Sequence, residues 1–127
     1  MRNFINLALL SGLLILSNMA NAAYPTCPSA SQVRSVNLSH AENDGDGYIA
    51  ISMMPLYTNQ QVWIVAMGNI PLNNTSATAL SQARAAMGGV GSVIHTEFLP
   101  DEGIYGCAYS VANSPMIAFA FTYLDPH

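Results

Sequence analysis

The chain has 127 residues, 51% of them hydrophobic and only 8% charged, with three basic residues, all arginines, against seven acidic ones. A chain of this length makes one domain. Without a lysine or a cluster of arginines it cannot neutralise a run of phosphates, so nucleic acid and anionic membrane surfaces are excluded as partners.

Met1-Arg2-Asn3 sets a positive charge before the apolar run 7–16, and Ala20-Asn21-Ala22 offers the small-x-small pattern that a signal peptidase cuts. Residues 1–22 therefore read as a secretory signal peptide, because a membrane-crossing helix needs roughly 20 apolar residues. Cleavage leaves residues 23–127 with two arginines against seven acids, a formal net charge of −5. The mature protein is expected in the periplasm or outside the cell, with no membrane anchor. In that oxidising setting Cys27 and Cys107 are expected to form an intrachain disulfide. Pairing between chains and redox chemistry are the alternatives, and the lack of a Cys-x-x-Cys pattern counts against the second.

Along the mature chain, Ser29 and Gln32 have capping-box spacing and open a short helix with Val33 and Val36 facing inward. Residues 37–47 are polar and rich in Asn, Asp and Gly, which predicts a loop. Residues 48–54 and 61–68 read as strands of a hairpin with a long loop over 55–60. In the second strand, which carries Trp63, both parities are apolar, as in a central strand covered on both faces. Residues 73–89 form the main helix: Asn74, Thr75 and Ser76 offer caps, Ala79, Leu80, Ala83, Ala86 and Met87 recur at helical spacing, and Gly88-Gly89 ends it. Residues 92–99, 105–111 and 116–124 make an antiparallel meander joined by tight turns. In its last strand Ala118, Ala120 and Thr122 suit the alanine face of the helix, whereas Ile117, Phe119, Phe121 and Tyr123 need another cover. The order α-β-β-α-β-β-β predicts one α+β domain with a five-stranded, largely antiparallel sheet and helices mainly on one face.

Chemistry-bearing patterns are sparse. In 42–53, Glu42, Asp44, Asp46, Gly47 and Ile49 fall at EF-hand positions, but the ninth and twelfth places hold Ala50 and Met53. The string reads as a turn-rich loop and not as a calcium site. His40, His95 and His127 lack zinc-ligand spacing, although His95 shares its strand face with Val93 and Glu97. Gly-x-Ser-x-Gly and His-Glu-x-x-His are absent, and the paired acids Asp101-Glu102 sit in a turn. No catalytic or metal-ligating residue is assigned, and the residues point away from an enzyme. Tyr105, Tyr109, Phe119, Phe121 and Tyr123 are expected together on one face of the meander. They serve either as core with hydroxyls at its rim or as a surface for a planar ligand or a partner protein. Either the N-terminal segment, a ligand or a second subunit would cover them.

The Tyr24-Pro25-Thr26-Cys27-Pro28 opening, the Trp63-bearing strand, the alanine-rich helix ending in Gly88-Gly89, and Gly106-Cys107-Ala108-Tyr109 together resemble small exported proteins of intracellular bacterial pathogens. Some members of that family are described as haemin-binding. The resemblance spans most of the mature chain and implies Cys27 with Cys107 as the family pair and a non-enzymatic binding protein with haemin as its ligand. His95, Tyr105 or Tyr109 would then supply an axial atom, since imidazole and tyrosinate both ligate haem iron. Covalent attachment is out, because Cys-x-x-Cys-His is missing, and Arg34 and Arg84 are the only partners for propionates in the mature chain. Two other readings stand beside this one: an interaction module docking through the aromatic face, and an enzyme of unknown type.

Overall fold

The computed structural model describes residues 24–71 and 75–124. The leader assigned to residues 1–22 and the cap candidate Asn74 lie outside the described residues. Helix α1 (Ala30–Arg34) opens with the expected capping box, Ser29 Oγ accepting from the Gln32 N–H while the Gln32 side chain accepts from the Ser29 N–H. Strands β1 (His40–Asn43), β2 (Tyr48–Ile51), β3 (Leu56–Thr58) and β4 (Gln61–Ile70) follow. Helix α2 (Ser76–Ala86) is capped by the Thr75 hydroxyl, which accepts from the Thr78 N–H, and closes in a 3₁₀ turn over Met87–Gly89. Strands β5 (Val90–Leu99), β6 (Ile104–Val111) and β7 (Ile117–Tyr123) complete the chain.

Among the described residues the sheet has seven strands and not the expected five. Its order is β1-β2-β4-β7-β6-β5, with β3 on β4, and every pairing is antiparallel. The two additions come from stretches read as loops. β1 is the polar His-Ala-Glu-Asn, which needs only Ala41 to face inward because it lies at the sheet's edge. β3 is three residues long and turns into β4 through Asn59 and Gln60, both at positive φ, the geometry of a two-residue hairpin. As expected, β4 is interior to the sheet and β5, β6 and β7 form a meander.

Strand parity divides the apolar side chains between two faces. The near face carries both helices, with Val33, Ala79 and Ala83 packed into one core with Trp63, Val65, Met67, Tyr109, Ala118 and Ala120. Alanines on α2 let it lie close over β1, β2 and β4, and each large side chain buried beneath is worth about 1.5–3 kcal/mol. The far face carries Ile49, Ala66, Leu99, Ala108, Phe119 and Phe121, edged by half-buried Ile51, Ile64, Ile104 and Ile117, and neither helix contributes to it.

One expectation about the aromatics is corrected by register. Tyr105 lies opposite Thr122 and Tyr109 opposite Ala118, so both tyrosines share the near face with the small parity of β7. Phe119, Phe121 and Tyr123 project from the far face. The Cys27–Cys107 disulfide is present and ties the N-terminal segment over the near-face tyrosines. No helix among the described residues is long and apolar enough to cross a membrane.

Candidate functional site

The far face is built by three strands in register. Phe119 and Phe121 stand on β7; opposite them on β6 are Ala108 and Gly106; opposite those on β5 are His95 and Glu97. Gly106 and Ala108 on the middle strand stand between the two phenyl groups and the His95–Glu97 pair; all of these are buried except His95, which is partly exposed. Alternation puts all six side-chain positions on one face. His95 Nε2 and Glu97 Oε1 are 3.2 Å apart. The imidazole remains 27% exposed while the carboxyl group is 3% exposed. Nε2 is the ring nitrogen that faces Glu97, which leaves Nδ1 turned away from the carboxyl group. The hydrogen bond gives the buried carboxyl group a partner. Both groups come from a His-x-Glu spacing, the period-two signature by which a strand puts two side chains on one face.

The other two residues considered as axial ligands are on the opposite side of the sheet. Tyr109 is fully buried, and its hydroxyl donates to the Pro28 carbonyl at 2.6 Å. Burial, with Tyr105 beside it, pushes that hydroxyl well above the ordinary tyrosine range, so the tyrosinate form is disfavoured. Tyr105 is stacked on Tyr24 with ring centroids 4.8 Å apart. His95 is thus not brought together with Tyr105 or Tyr109. Both arginines of the described residues are engaged on backbone carbonyls, Arg34 Nη1 on Val90 at 2.7 Å and Arg84 Nε on Leu38 at 2.6 Å.

Toward β3 and the end of β7 the far face becomes solvent-exposed. Tyr57 lies opposite Val62, and Val62 and Tyr123 line one depression of about 320 Å³. Tyr57 is 74%, Val62 52% and Tyr123 63% exposed. Reading 55–60 as a loop gave no sign of β3 or of this bare row.

The EF-hand-like string is the β1–β2 hairpin turn. Asp44 Oδ1 accepts from the Asp46 and Gly47 N–H groups at 3.1 and 3.0 Å, and Asn43 Oδ1 accepts from Gly45 N–H at 2.7 Å. That Asp44 oxygen is spent on the turn. Among the described residues no three His, Cys, Asp or Glu side chains gather as a metal centre.

Compared with protein-family models, with curated proteins and with solved structures, the chain matches none.

Proposed function

We propose that this is a small exported, non-enzymatic binding protein that holds a planar, largely apolar molecule against the far face of its sheet, with haemin as the ligand class. The observation that carries the reading is the partly exposed His95 imidazole, hydrogen-bonded to the buried Glu97 carboxyl group on the face that also carries Phe119 and Phe121. Histidine is a common axial ligand of haem iron, and a carboxylate behind it fixes its tautomer. Of the three candidates His95 fits best, since its ring is partly exposed and turns one nitrogen away from Glu97, while the Tyr109 hydroxyl is engaged elsewhere. With Arg34 and Arg84 committed on the helix side, the propionates would point to solvent. Export is supported by the N-terminal sequence and by the disulfide, which suits an oxidising compartment.

The test is a haemin titration of the purified oxidised chain, followed by Soret absorbance, with an unrelated acidic exported domain as control. A saturable one-to-one shift is expected, lost in His95→Ala, weakened in Glu97→Gln and retained in Tyr109→Phe. A shift no larger than the control's overturns the reading.

The exposed row Tyr57, Val62 and Tyr123 favours a second reading, a docking surface for a protein partner, because large apolar side chains left bare side by side mark interaction sites. Under it, haemin does not bind specifically, and capture of a partner is lost in Tyr57→Ser and Tyr123→Ser while His95→Ala leaves it intact.

A further inference from the structure

A second His-x-Glu pair lies at the other edge of the sheet. His40 and Glu42 flank Ala41 on β1, and their register partners Ile51 and Ile49 belong to the far-face cluster, so both side chains stand on the face that carries no helix. They are exposed, at 50% and 58%. Bonds of about 2.0–2.1 Å at the tetrahedral angle set two zinc donors roughly 3.3 Å apart, and His40 Nε2 and Glu42 Oε2 stand 3.2 Å apart. At that distance the two atoms share a hydrogen bond; a cation would take the place of its proton, with the ring proton on Nδ1 instead, and two further ligands would still be needed.

We propose that a second copy of this chain supplies them, β1 pairing antiparallel with β1 to close a His₂Glu₂ site for a divalent cation of the zinc type. Among the described residues β1 pairs only with β2 and ends the sheet. Its register with β2 runs unbroken through all four residues, so its outer edge is regular. With Ala41 opposite Ala41 on a twofold axis, His40 of each chain stands opposite Glu42 of the other, at the spacing where cross-strand side chains meet. Two imidazoles and two carboxylates satisfy the cation's preferred number of ligands and neutralise its charge. Without the cation, two Glu42 carboxyl groups meet in one cluster with nothing to bridge the two pairs. The cation is thus the switch for association. The opposite edge is unsuited to this, because β5 is broken by register shifts on both sides of Val93 and its Glu97 is buried.

The experiment is sedimentation velocity of the purified oxidised chain with zinc chloride, with magnesium chloride and after EDTA, with zinc content measured on the associated fraction. The expected result is a doubling of mass with zinc at one ion per two chains, reversed by EDTA and absent with magnesium. His40→Ala and Glu42→Gln, both solvent-exposed, are expected to stay monomeric at zinc concentrations that pair the parent chain, and His95→Ala to pair as the parent does. A parent chain that stays monomeric in zinc overturns the proposal. So does pairing that survives both β1 substitutions, or pairing lost only in His95→Ala.

Discussion

Replacing Tyr109 by Phe removes one oxygen from a fully buried site and strips the Pro28 carbonyl of the hydroxyl it accepts at 2.6 Å. Leaving a buried polar group without a partner costs about 1–3 kcal/mol, and the substitution is expected to lower stability by that amount in urea unfolding near pH 7. The same residue sets an alkaline limit. Burial first, and Tyr105 second, raise its pKa in the folded state, whereas in the unfolded chain tyrosine ionises near pH 10. Below that pH both states hold the proton and the contribution is intact. Above it the unfolded chain binds fewer protons than the folded one, so stability falls as pH rises. Tyr109→Phe is expected to flatten this alkaline limb, and equal slopes in both proteins would sink the argument. Composition and strand parity marked Tyr109 as a notable aromatic. They gave the wrong companions for it, because parity within one strand says nothing of how the next strand is registered. The near-face grouping with Ala118, and the separation from Phe119, follow only from the Tyr109–Ala118 pairing.

At the scale of elements, the β1–β2 hairpin explains the glycine that mimics a calcium-loop position. A Cβ on Gly47 would run into the Ile70 carbonyl oxygen of β4, which is backbone and cannot swing aside. Gly47→Ala must therefore shift either the turn or the β2–β4 register, at a cost of about 1–3 kcal/mol by the usual measure of overpacking. The expected reading is a lowered urea midpoint that added calcium does not restore; recovery with calcium would mean that the loop binds the ion after all. The long elements were legible because their periodicity is strong: the capping box at Ser29, the alanine spacing of α2, the two apolar parities of β4 and the turns of the meander all stand where they were read. The helix ran shorter than 73–89, its last turn tightening to 3₁₀ at Met87–Gly89. β1 and β3 were illegible for a physical reason. An edge strand of three or four residues is held by backbone pairing to its neighbour, and its own side chains need show no alternation. The candidate site was half legible: His-x-Glu on a strand is visible in sequence, but its placement on one face with Phe119 and Phe121 spans three strands.

For the whole molecule, the disulfide and the two faces can be separated experimentally. Cys27 and Cys107 are 80 residues apart, and closing a loop of that length restricts the unfolded chain by an estimated ~4–5 kcal/mol. The bond also fastens a strap over the near face. Tyr24 stacks on Tyr105 with centroids 4.8 Å apart, Asn59 Nδ2 donates to the Thr26 carbonyl at 2.9 Å, and Pro28 receives the Tyr109 hydroxyl. None of these contacts involves the far-face cluster. Reduction, or the Cys27→Ser and Cys107→Ser double substitution, is thus expected to remove about 4–5 kcal/mol of stability in urea unfolding by the same loop-closure argument. Under native conditions, where the chain remains folded, a ligand seated on His95 should bind the reduced chain as it binds the oxidised one. A ligand seated on Tyr105 or Tyr109 would instead feel the loosened strap directly. Soret titrations with and without reductant, at a temperature below the unfolding of the reduced form, decide between them. Equal affinities place the ligand on the far face, and an affinity that changes severalfold on reduction moves it to the tyrosines beneath the strap.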